Sequence, residues 1–93
     1  MEEFILADVV ISTAGRDTGK FFYVIEANET CLLLVNGKDR SLEKPKKKKR
    51  KHVIKVLRSE TRVAEKLRAG DKVLNSELRR DLACVRQELQ SNA

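Results

Sequence analysis

At 93 residues, with 41% apolar and 37% charged side chains, the chain has room for one folded, highly charged domain and a short appendage. Its longest apolar run, Cys31 to Val35, is far too short to cross a bilayer, and the acidic start Met1-Glu2-Glu3 is unlike a secretory signal, so a cytoplasmic, non-membrane protein is expected. The net charge of +6 divides as −4 over residues 1–30, +9 over 31–58 and +1 over 59–93, a concentration that favours encounter of the middle third with a polyanion.

Phe4 to Ser12 is rich in β-branched and aromatic residues and predicts a strand with an irregular lead-in. Thr13 to Lys20 is a turn with Gly15 and Gly19 flanking Arg16 and Asp17. Strands are expected over Lys20 to Ala27 and Thr30 to Val35, and Asn36-Gly37 then signals a tight hairpin. A short basic strand over Arg40 to Glu43 would pair back, Pro45 punctuates, and His52 to Leu57 makes a fifth strand. Five short strands with tight turns suggest a small closed barrel, which removes exposed sheet edges. Past Ser59 the period changes: a helix over Glu60 to Arg68 is stopped by Gly70, and a second runs from Ser76 to Gln90 with Leu78, Leu82, Val85 and Leu89 on one stripe. Asn75 or Ser76 can cap this helix, and Glu77 suits its first turn. The expected layout is a mainly β unit over 1–58 and a helical extension over 59–93, which packs on the barrel or on a partner.

Two cysteines in different segments, Cys31 and Cys84, and a single histidine cannot assemble a zinc set, and they read as reduced thiols. Neither paired carboxylates nor a nucleotide-binding glycine loop of the right form is present, so no enzyme activity, catalytic residue, metal or cofactor is expected.

The run Lys44 to Lys51 holds seven basic residues in eight, interrupted by Pro45. These charges repel, so without an anionic partner the segment is expected to be mobile. If about six of them met phosphates, affinity would fall with salt at a log–log slope of roughly −4 to −5. A solvated loop and a nuclear import signal at Pro45-Lys-Lys-Lys-Lys-Arg-Lys51 fit the same residues, with RNA contact the favoured reading.

The stretch Val9-Val-Ile-Ser-Thr-Ala-Gly-Arg-Asp-Thr-Gly-Lys20, the following apolar strand, Val35-Asn-Gly37 and the later Lys51-His52-Val53 together resemble the KOW-motif ribosomal proteins. The nearest likeness is to the family of the eukaryotic- and archaeal-type large-subunit protein fourteen, and short bacterial KOW-containing proteins are also similar. The likeness covers roughly residues 4 to 58. The chain differs from that family in the density of lysine before His52 and in its compact helical tail.

The resemblance implies a five-stranded SH3-like, KOW-type barrel followed by two short C-terminal helices. It also implies an RNA-binding protein, monomeric when free, that docks on structured ribosomal RNA of the large subunit through phosphates and shape. Gly15, Asp17 and Gly19 would shape the turn, with outward backbone N–H groups making a phosphate cradle. The RNA contacts would be Arg16, Thr18, Lys20, Lys38, Arg40, Lys44, Lys46, Lys47, Lys48, Lys49, Arg50, Lys51 and His52. The glycines also suit an ordinary hairpin turn, and His52 suits a partly buried strand start. Phe22 and Val24 would point inward; Phe21 and Tyr23 would either stack on a base or pack under the helices. The alternative function is a protein-interaction KOW module, acting in transcription–translation coupling or in ribosome assembly and quality control, whose helical tail holds a protein partner.

Overall fold

Val, Ile, Leu, Phe and Tyr dominate three successive segments, and each forms a strand: β1 Asp8–Ser12, β2 Phe21–Ala27 and β3 Cys31–Val35. The computed structural model, which describes residues 3–91, adds β4 at Lys46–Lys49 and β5 at Val53–Arg58, then helices α1, Arg62–Ala69, and α2, Asn75–Ser91. The strands make one antiparallel sheet in the order β4-β3-β2-β1-β5. The hydrogen-bonded ladder does not close: β4 and β5 are its two edges, so the closed barrel expected from strand number is corrected to an open sheet. Four-residue β4 is spent on β3, and a 3₁₀ turn at Arg50–His52 separates it from β5. With α2 as long as it is, the fold is mixed α and β rather than mainly β.

Both faces of the sheet are covered, which is why β2 reads as a continuous apolar run instead of alternating with polar residues. On one face Val10, Phe22, Val24, Leu32, Leu34 and Val53 close around Phe4 from the N-terminal lead-in. On the other, Val9, Tyr23 and Val35 pack with Val63 and Ala64 of α1 and with Leu78, Leu82 and Val85 of α2. Phe22 and Val24 thus lie on the face away from the helices, and Tyr23 lies under them. The helical tail is packed on the sheet, and its apolar stripe is used there except for exposed Leu89.

The basic strand expected over Arg40 to Glu43 does not form. The Asn36 side-chain oxygen accepts from the amides of Lys38 and Arg40 (2.9 and 3.0 Å), and the amides of Asn36 and Gly37 both donate to the Arg40 carbonyl (2.8 and 3.1 Å). This folds the segment on itself and leaves its backbone no ladder to join. The fourth strand is the lysine run itself, with Leu32 opposite Lys48 and Leu34 opposite Lys46. The lysine segment, expected to be mobile without an anion, is paired to β3 as a strand and continues into a 3₁₀ turn.

The 36–45 loop is fastened to the start of α2. Asn75 accepts from the Leu42 amide (2.8 Å) and donates to both Glu43 carboxylate oxygens (3.0 Å each), so it brackets the loop instead of capping its own helix. Glu77 reaches back to the Leu74 amide (3.1 Å) and also pairs with Lys66 of α1 (2.9 Å). That pairing with the Lys66 ammonium lowers the Glu77 carboxyl below its ordinary pKa. Thr61 caps α1 by accepting from the Ala64 amide (3.2 Å), and Gly70 ends it in the left-handed conformation (φ 75°).

Candidate nucleic-acid interface

The Thr13 to Lys20 turn is closed by its own backbone. The amides of Gly19 and Ser12 donate to the carbonyls of Ser12 and Lys20 (2.8 and 3.0 Å), and those of Thr18 and Lys20 to Gly15 and Asp17 (3.3 and 2.9 Å). Gly15 and Gly19 take φ of 77° and 86°, which a side chain would resist. The Thr18 hydroxyl donates back to the Gly15 carbonyl (2.7 Å). Three of the amides expected in an outward phosphate cradle, those of Thr18, Gly19 and Lys20, are therefore spent inside the loop, while Arg16 stays exposed.

Asp17 shapes the turn through side chains that reach it from other elements. Its buried carboxylate lies 3.3 Å from the Arg40 guanidinium and 4.0 Å from the Lys48 ammonium. Lys48, with only 8% of its side chain exposed, also donates to the Ala14 carbonyl (2.6 Å). Lys48 and Arg40 are thus a clasp between the turn, β4 and the 36–45 loop. Of these two expected RNA contacts the structure buries Lys48 and half-buries Arg40, both directed at one carboxylate, because a buried acid demands a counter-charge.

The alternation of β4 explains the split among the lysines. Lys46 and Lys48 share the face of Leu34 and Leu32, and they are half-buried and buried, whereas Lys47 and Lys49 point the other way and are exposed. Lys44 and Lys51, just outside the strand, are exposed as well. Arg50 is half-buried: its Nε donates to the Asn28 carbonyl (2.7 Å), and its guanidinium lies 5.4 Å from the centre of the Phe4 ring. His52 is half-buried, and its carbonyl accepts from the Thr13 amide (2.8 Å), tying the turn to the entry of β5.

Lys20 is paired with Asp39, and Asn36 donates to the same carboxylate (2.8 Å). The Lys20 and Asn36 hydrogen bonds hold the Asp39 carboxyl at a pKa of about 2. Lys38, beside it, is exposed. The structure therefore leaves Arg16, Lys38, Lys44, Lys47, Lys49 and Lys51 as exposed cations. It also brings up two arginines outside the sequence-based set, Arg79 and Arg86. The sequence signal for them was their seven-residue spacing on the polar face of α2.

A second feature missed in the sequence is the polar knot under the helices. The buried Tyr23 hydroxyl donates to the Asp81 carboxylate and lies 3.0 Å from the Ser59 hydroxyl and 3.3 Å from that of Thr61. Thr61 also donates to Asp81 (2.9 Å). Burial, helped by the Asp81 carboxylate, pushes the Tyr23 phenol up to about 12. One residue before Val9, the β1 partner of Tyr23, buried Asp8 takes the Ile5 amide (2.9 Å), Lys55 (3.2 Å) and Arg58 (3.1 Å), which accounts for two more cations of the basic middle third.

Among the described residues no helix is long and apolar enough to cross a membrane, and no cluster of three or more His, Cys, Asp or Glu is placed to hold a metal ion. Cys31 is half-buried and Cys84 exposed, and both are free thiols. No protein-family model matches the chain, and no curated protein sequence matches it.

Proposed function

We propose that this chain is an RNA-binding protein that works on the large ribosomal subunit, with its sheet acting as a partly open, SH3-like barrel of the KOW kind. The carrying observation is the outward row Lys44, Lys47, Lys49 and Lys51 on and around an edge strand that holds its lysines in order. With the β4 backbone fixed by its ladder, meeting phosphates costs side-chain freedom but little backbone freedom, and the row forms an electrostatic track rather than a base-reading surface. Arg16, at the tip of the neighbouring turn, adds a planar fork suited to phosphate or to stacking on a base. The protein-interaction alternative is weaker, since the apolar stripe of the tail is spent on the sheet.

The test is sedimentation of the protein with large ribosomal subunits through sucrose at low salt and again at several times that ionic strength. Co-migration at low salt and release at high salt is the expected result. Protein that stays at the top of the low-salt gradient, while binding no ribosomal RNA in a filter assay, rules the reading out.

A further inference from the structure

A cleft of about 540 Å³ opens where α2 crosses the 13–20 turn and the 36–45 loop. Its size falls within the range of small-molecule sites, about 300–1,000 Å³. Lys20 and Lys38 line it from the loops, Arg79 and Arg86 line it from α2, and Phe21 and Leu82 supply apolar surface between them. Arg79 is set by donating to the Gly37 carbonyl, which leaves the rest of its guanidinium unengaged by that bond. Lys20 is occupied by Asp39, so Lys38 and Arg86 are the cations best placed to meet an incoming anion.

We propose that this cleft holds a single unstacked nucleotide of RNA, with its base against the Phe21 ring and its phosphate between Lys38 and Arg86. The inference rests on the RNA-binding reading above and gives it a subsite that the lysine row lacks. The chemistry of the lining selects the occupant. An aromatic ring and arginine planes offer stacking faces for a splayed base, and the concave shape admits one base but no duplex. Asp39, pinned by Lys20 and Asn36, offers an acceptor to an exocyclic amino group such as that of cytosine.

The experiment measures fluorescence anisotropy of the full chain on a short oligocytidine and on a blunt RNA duplex of equal length. Lys38→Ser with Arg86→Ser should weaken single-strand binding about tenfold and duplex binding less than about threefold, consistent with loss of one stacked, phosphate-held nucleotide. Phe21→Leu, which leaves charge unchanged, should show the same selective loss. Lys38→Ser alone, on an exposed loop, shows the direction without disturbing α2. Equal losses on both RNAs, or an oligoglutamate that competes as well as oligocytidine, overturn the proposal. If the variants bind like the parent while the parent binds RNA, the cleft assignment fails and the RNA-binding reading stands. If the parent binds neither oligonucleotide, the cleft assignment fails, and the RNA-binding reading is decided by the sedimentation and filter assays on ribosomal RNA.

Discussion

Single buried polar groups hold the parts of this molecule in place, and each has a measurable consequence. Tyr23 is the sole tyrosine and the chain has no tryptophan, so phenolate absorbance reports it alone. Its folded pKa, about 12, lies above the ordinary 10.0. The unfolded chain therefore loses this proton first, and the stability due to the neutral phenol is intact below pH 10 and lost as pH rises from there toward 12. A shift of that size corresponds to a loss on the order of 2–3 kcal/mol. Asp81→Asn should move the midpoint down, and a native midpoint at the ordinary value would contradict the buried hydrogen bond. Lys47 and Lys48 make a second test, being adjacent and identical in type but opposite in direction. Lys48→Ala leaves the Asp17 carboxylate short of a partner and should cost about 2 kcal/mol or more in urea unfolding, whereas Lys47→Ala should stay within about 0.5 kcal/mol. Equal effects would mean that the clasp contributes nothing.

At the scale of elements, the decisive contact is between the 36–45 loop and the first turn of α2. A Cβ on Gly37 would come within 2.1 Å of the Asn75 carbonyl and 3.0 Å of the Leu78 Cβ, at φ +74°. Gly37→Ala should therefore destabilise by about 2–4 kcal/mol through backbone strain and overpacking together. Gly19→Ala, at φ +86° with open space around the new methyl, should cost only the backbone part, about 1–2 kcal/mol. Comparison of the two urea midpoints isolates the steric contribution. Removing the helices altogether is a harsher test. A chain ending at Arg58 would expose Val9, Tyr23 and Val35, so it should be insoluble or unfolded by circular dichroism. A soluble, cooperatively folding truncation would show that the sheet needs no cover on that face.

For the whole molecule, the partition of charge sets how binding responds to salt. Of the seven basic residues in the run, Lys48 is buried, Lys46 is half-buried and Arg50 is held at Phe4, which leaves Lys44, Lys47, Lys49 and Lys51 along the lysine row. The log–log slope of RNA affinity against salt should then lie at roughly −3 to −4, shallower than the count of basic residues suggests. Replacing Lys47 and Lys49 by Ser should flatten it by roughly 1–2 while leaving the unfolding midpoint unchanged. A slope that stays the same would place the RNA elsewhere on the surface.

Much of this architecture is local and so was legible in the chain. The strands β1, β2, β3 and β5 follow from β-branched and aromatic runs. Helix α2 follows from the four-three-four spacing of Leu78, Leu82, Val85 and Leu89, and the end of α1 from Gly70. The turn at Thr13 to Lys20 follows from two glycines. What local pattern does not carry is the partner of each group. Lysine has a low strand propensity and its neighbours repel, so Lys46–Lys49 became a strand only because β3 offered a ladder and Asp17 a counter-charge. Asn36-Gly37 signalled a hairpin, yet both amides donate to the Arg40 carbonyl, the Asn36 side chain takes the amides of Lys38 and Arg40, and Asn75, far along the chain, takes that of Leu42. Sequence alone determined where the positive charge is concentrated. Only tertiary structure decided which of those cations face solvent, because a buried carboxylate recruits its counter-ions from whatever strands pass beside it.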